Sequence, residues 1–151
     1  IAVNEPQDLH NDDCRRPDLQ MVTNNQHILT DVQITNPVCP SHKRGAARQE
    51  LYAAELNEKR KINKYTNTAA QHHATFIPFV MEATGGMSTS AQDIYERIVL
   101  ASRDSGSLCP HEIIARDFRS SVAVAVQRRN AMIMIARRCL AIGRAVTGAA
   151  G

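Results

Sequence analysis

Asp18 and Asp31 are the side chains whose type and spacing could do chemistry. Asp18 closes the tripeptide Arg16-Pro17-Asp18, and Asp31 interrupts the apolar run His27-Ile28-Leu29-Thr30-Asp31-Val32-Gln33-Ile34, with twelve residues between the two acids. A hairpin with a tight turn brings both carboxylates to one end of a sheet. Like charges placed opposite each other repel, and a hard divalent ion with oxygen ligands is the usual reason to tolerate them. The plain alternative is that Pro17-Asp18 only begins a strand and that Asp31 pairs with Arg15 or Arg16. An acid inside an apolar strand argues for something more, because a buried carboxylate is costly without a group that stabilises its charge.

The elements that must position these acids follow from periodicity and breakers. Residues 1–3 form a short first strand, and residues 18–23 a second with Leu19 and Met21 on one face. Asn24-Asn25-Gln26 supplies a turn, since Asn tolerates the left-handed backbone. Residues 27–35 read as one strand with Ile28, Thr30, Val32 and Ile34 on one side and Leu29, Asp31 and Gln33 on the other. Asn36-Pro37 and Cys39-Pro40 end it. A helix is expected over 44–65, with Leu51, Ala54, Leu56 and Ile62 as its apolar stripe and a broken continuation to His73. Residues 75–81 form a buried strand in which Pro78 requires an edge or a bulge. Gly85-Gly86 stops it. Ser88 or Ser90 caps a helix reaching Arg103, with Ile94, Ile98 and Val99 inward. A last helix over 111–142 carries Ile114, Phe118, Val122, Val126, Ile133 and Leu140 at helical spacing.

This order predicts a mixed α/β domain with a core over residues 1–106, a basic helical extension over 107–145 and a disordered tail over 146–151. A chain of 151 residues suits one hydrophobic centre. The net charge of +3 is too small to name a polyanion partner, but its distribution is uneven. Residues 43–64 carry seven basic side chains (Lys43, Arg44, Arg48, Lys59, Arg60, Lys61 and Lys64) against three acidic ones, and residues 112–144 carry seven arginines, Arg128 and Arg129 among them, against two acids.

Cys14, Cys39, Cys109 and Cys139 contain no Cys-x-x-Cys pair, so reduced, mostly buried thiols are the default. Cys39, His42, Cys109 and His111 would make a zinc site only if the fold joined them. No run is long and apolar enough to span a bilayer, and the start at Ile1 fits a piece of a longer polypeptide.

Four features occur in order: Arg16-Pro17-Asp18, then Asp31, then Lys61-Ile62-Asn63-Lys64-Tyr65, then the apolar segment Phe76-Ile77-Pro78-Phe79-Val80-Met81-Glu82-Ala83-Thr84-Gly85-Gly86. Together they resemble the restriction-like endonuclease domain of site-specific non-LTR retrotransposons and related reverse-transcriptase polyproteins. The wider superfamily signature is Pro-Asp, a spacer, then acid-x-Lys. The resemblance spans residues 3–98. It implies a restriction-endonuclease-like fold, with a mixed central sheet of about four strands flanked by helices.

The implied activity is Mg²⁺- or Mn²⁺-dependent nicking of target DNA, whose freed 3′-hydroxyl primes reverse transcription by another domain of the parent polyprotein. The implied location is intracellular, nuclear in a eukaryote. By the same resemblance Asp18 and Asp31 are the metal ligands, with Glu5 as an additional acid. Gln33 occupies the position where the wider superfamily has its lysine. Lys61 or Lys64 would then reach the site from the helix, with Lys64 preferred and Tyr65 anchoring that turn. Glu82 would support the metal or, preferably, cap the next helix region, and His72 and His73 could touch phosphate. Lys43, Arg44, Arg48, Lys59, Arg60, Arg128 and Arg129 would contact DNA phosphates without reading sequence. Gln33 also feeds an alternative, a catalytically degenerate nuclease fold kept as a nucleic-acid-binding or protein-interaction module. A third reading is a helical interaction domain that works through the arginine-rich last helix.

Overall fold

The computed structural model describes residues 2–4, 17–23, 26–104 and 110–148. Their elements, in chain order, are β1 (Ala2–Asn4), β2 (Leu19–Thr23), β3 (Gln26–Thr30), β4 (Val32–Thr35), α1 (Lys43–Ala46), α2 (Tyr52–Gln71), β5 (Thr75–Phe76), β6 (Phe79–Glu82), α3 (Thr89–Asp104) and α4 (His111–Gly148). The chain is mixed α/β and divides into two compact units, residues 1–115 and residues 116–151. The second unit is the continuation of α4, a helix that runs beyond the expected Ile142 to Gly148. No helix among the described residues is long and apolar enough to cross a membrane.

In the first unit β1, β2 and β3 form an antiparallel meander, and β5 joins β3 in parallel, giving the order β1-β2-β3-β5. A second pair, β4 with β6, is also parallel. The two parallel pairs are successive parts of one crossover, because β3 leads through Asp31 into β4, and β5 leads through Ile77-Pro78 into β6. Helix α2 is the connection between them, as a parallel pair requires.

The strand expected over 27–35 is therefore broken at Asp31, and the one over 75–81 is broken at Ile77-Pro78. The two breaks lie side by side. Ile77 N–H donates to the Leu29 carbonyl at 3.0 Å and Phe79 N–H to the Asp31 carbonyl at 3.1 Å. The expected two-sided alternation also fails at this break. Ile28, Leu29, Thr30 and Asp31 are all buried, whereas Val32 and Ile34 are exposed.

The helix expected over 44–65 is likewise two helices. Leu51, directly before α2, takes a left-handed backbone with φ of 57°. Its side chain lies over Gly86, where a Cβ would collide with it. Packing, rather than a local breaker, sets this joint. Gly85 turns the chain after β6 with φ of 104°, a conformation that suits glycine. Ser88, not Ser90, caps α3, since its hydroxyl accepts the Ala91 N–H at 3.4 Å, while the Ser90 hydroxyl donates to Glu58 at 2.6 Å.

The core of the first unit is Met21, Ile28 and Leu29 of the meander, Phe79, Val80 and Met81 of β6, Ala53, Ala54, Tyr65 and Ala69 of α2, and Ala91, Ile94 and Tyr95 of α3. Both faces of β6 are covered, which matches its unbroken burial. Of the expected stripe of Leu51, Ala54, Leu56 and Ile62, only Ala54 is buried. The buried positions of α2 are Ala53, Ala54, Asn57, Tyr65 and Ala69. Alanines let the helix backbone approach the sheet closely.

Gly45 shows the same close fit, since a Cβ there would stand inside contact distance of the Tyr52 ring. Gly45→Ala is expected to lower the thermal midpoint, at a cost of about 1–3 kcal/mol for forcing a methyl into filled space. An unchanged midpoint would show that the ring turns aside freely.

Candidate metal-binding and hydrolytic corner

Pairing between β2 and β3 fixes the two acids opposite each other. Leu19 faces Thr30, and one step further along that antiparallel register stand Asp18 and Asp31. The Asp18 carboxylate accepts the backbone N–H of Val32 at 2.7 Å, so it reaches across the break to the first residue of β4. Pro17, fully buried, holds the entry to β2 in place.

Lys61 completes the corner from α2. Its ammonium donates a hydrogen bond to the carboxylate of Asp31, and the two side chains are only 15% and 10% exposed. Positions 53, 57, 61 and 65 recur every four residues and so line one face of the helix. That face meets the sheet, with Asn57 bonded to Thr35 and Tyr65 stacked on Phe76 at a centroid distance of 4.9 Å. Lys61 sits between Asn57 and Tyr65, and Asp18 beside it remains exposed to solvent.

Burial raises the pKa of Asp31 above the usual carboxylate value. The hydrogen bond and charge of Lys61 act against that rise, and the neighbouring Asp18 carboxyl adds to it. The corner thus holds one exposed acid, one buried acid in an unfavourable setting, and one amine that compensates it in part.

Lys61, and not the preferred Lys64, is therefore the lysine at the acids. Lys64 donates to the Tyr65 hydroxyl at 3.0 Å and lies 4.6 Å from the centre of that ring, about 60° around the helix axis from Lys61. Tyr65 anchors this turn as expected, through Phe76. Gln33 is partly exposed on β4, paired in register with Val80. Glu82 is buried at the other end of α2, where its carboxylate accepts the Ala53 N–H at 3.2 Å and the Thr84 hydroxyl at 3.3 Å. It caps the start of α2, where a negative charge also complements the helix dipole.

Glu5, Arg15, Arg16 and Cys109 lie outside the described residues. Lys43, Arg44, Arg48, Lys59 and Arg60 are exposed on α1, the segment after it and α2, as are His72 and His73 at the end of α2. In the second unit Arg128 and Arg129 are exposed.

Of the four zinc candidates, Cys39 and His42 meet, with Sγ and Nδ1 3.1 Å apart, and a hydrogen bond with Ser41 lowers the pKa of the partly exposed Cys39 thiol. His111 begins α4. Among the described residues no three His, Cys, Asp or Glu side chains form a group that could hold a metal. A cavity of about 400 Å³, lined by Pro37, Val38, Lys43, Leu51 and Glu82 among others, adjoins the start of α2, two turns of helix from Lys61.

Sequence reasoning missed Asn57 and Thr35. Their signal was the four-residue repeat of Ala53, Asn57, Lys61 and Tyr65, which a search for apolar stripes passes over. Comparison with known protein families, curated proteins and solved structures finds no match to this chain.

The raised pKa of Asp31 has a consequence for stability. Its folded value lies above its unfolded value, so the fold is favoured below the unfolded pKa and loses that advantage as pH rises through the folded one. Asp31→Asn should therefore be more stable than the natural protein at pH 7, and the gap should close as pH falls toward 3. Thermal unfolding of both proteins across that range checks this. A variant less stable at pH 7 would mark Asp31 as an ordinary structural ion-pair partner.

Proposed function

We propose that this chain is a divalent-cation-dependent endonuclease domain that hydrolyses a phosphodiester bond of DNA at the Asp18–Asp31–Lys61 corner. The observation that carries the reading is the Lys61 ammonium on the Asp31 carboxylate, one register step from Asp18. Pro-Asp, a second acid and a lysine are the residue types of the restriction-endonuclease-like signature, with the lysine supplied by α2 in place of Gln33. The mixed sheet β1-β2-β3-β5 with α2 as its crossover supports assignment to that fold.

The donor set fits a hard ion. Two carboxylates without sulfur or imidazole suit Mg²⁺ or Mn²⁺, and Mg²⁺ needs only one or two carboxylates because it keeps several waters and shares substrate oxygens. Asp18 and Asp31 would hold it. When bound, such an ion makes a coordinated water more acidic and draws charge from the phosphoryl oxygens.

The chain's own residues divide the remaining work. Asp18 is open to solvent and to an approaching backbone, and Asp31 forms the floor of the corner. Lys61 brings a positive charge to the place where negative charge gathers on the phosphoryl group, and its ammonium can hold the attacking water by a hydrogen bond. The exposed cations Lys43, Arg44, Arg48, Lys59, Arg60, Arg128 and Arg129 would contact phosphates, a sequence-independent attraction that falls steeply with salt. A nick in target DNA leaves a 3′-hydroxyl that a reverse-transcriptase domain of a parent polyprotein can extend.

Asp31 is already paired with Lys61, and this favours a second reading in which the corner is closed and the domain only binds nucleic acid. Nicking of supercoiled plasmid in Mg²⁺ separates the two. The natural protein should nick, and Asp18→Ala, Asp31→Ala and Lys61→Met should each lose about a hundredfold or more in rate. Lys64→Met should keep most of it. Equal nicking by the natural protein and Asp31→Ala would remove the corner from catalysis, and salt-sensitive retention of DNA without nicking would favour the second reading.

A further inference from the structure

We infer that Asn57 is the positioning residue that places Lys61 against Asp31. Asn57 is one helical turn before Lys61 on the same face of α2, and it is buried. Its amide nitrogen donates to the Thr35 hydroxyl at 3.1 Å and to the Ala53 carbonyl at 2.8 Å. Thr35 ends β4, the strand that begins directly after Asp31, and its backbone carbonyl is held by the Ala83 N–H at 2.7 Å. One strand thus carries both contacts, with Asp31 at its start meeting Lys61 and Thr35 at its end meeting Asn57.

The geometry makes this a two-point attachment of helix to strand. A buried amide left without its partner is costly, so Asn57 disfavours any slide or rotation of α2 that would break its bond to Thr35. A rotation by one residue, about 100°, would carry the Lys61 amine off the carboxylate. The alanines at 53 and 54 leave that stretch of the face smooth, and Asn57 fixes the register there, between the Glu82 contact at the start of the helix and the Tyr65–Phe76 contact further along it. Its role in catalysis rests on the reading of Lys61 given above, whereas the placement itself can be measured without any cleavage.

Competitive acetylation of the full chain, read lysine by lysine in a mass spectrometer, is the test. In the natural protein Lys61 should react more slowly than Lys43 and Lys59. Thr35→Val, which removes one hydroxyl at nearly constant shape, and Asn57→Leu should each raise Lys61 labelling by about fivefold, the worth of roughly one hydrogen bond, and leave Lys43 and Lys59 unchanged. Thr35→Ser keeps the hydroxyl and should restore the natural rate.

In plasmid nicking, the same two variants should lower kcat with KM held, and Asn57→Leu should add no further loss to Lys61→Met. Unchanged Lys61 labelling in Thr35→Val would overturn the inference, and so would a rise shared by all lysines. If the natural protein does not nick, the nuclease reading falls and the labelling pattern alone decides the placement.

Discussion

The carboxylate of Asp31 is buried at a strand break, directly across a hairpin register from a second carboxylate, and the ammonium of Lys61 is what makes that tolerable. Desolvation penalises its charge and Asp18 adds repulsion. Lys61 reduces the penalty without abolishing it. A protein selected only for stability would do better with an apolar residue at 31, since replacing buried ion pairs by well-packed apolar groups is often neutral or stabilising.

The surrounding fold serves that corner. At the Asp31 break the Phe79 N–H donates to the Asp31 carbonyl, which ties that residue to the start of β6. Helix α2 is held at its start by Glu82 and at its middle by Asn57. Its small residues let it lie close enough for the half-buried Lys61 to span the gap.

The convergence of Asp18 and Asp31 was legible in the sequence, because two short apolar runs around Asn24-Asn25 leave a hairpin as the natural pairing and the register follows. The class of fold was legible too, from strands followed by long helical stretches. The break at Asp31 was not, since it belongs to a segment that pairs with residues 75–82, nearly fifty residues away, whose strands must first be known to lie alongside. The joint before α2 was hidden as well: Leu51 is a good helix former, yet it takes a left-handed backbone there, with its side chain over Gly86. The choice between Lys61 and Lys64 turned on which face of α2 meets the sheet, and that face is built from Ala, Asn, Lys and Tyr, so hydropathy gave no sign of it.

The proposed hydrolysis requires Asp18 and Asp31 together to take one divalent cation beside Lys61. Titration of Mn²⁺ into the isotopically labelled protein tests it most directly, because the ion broadens the signals of nuclei near it. The account predicts that the amide signals of residues 18, 31 and 32 fade first in the natural protein and persist in Asp31→Asn. Broadening centred elsewhere, or an identical pattern in the variant, would contradict it.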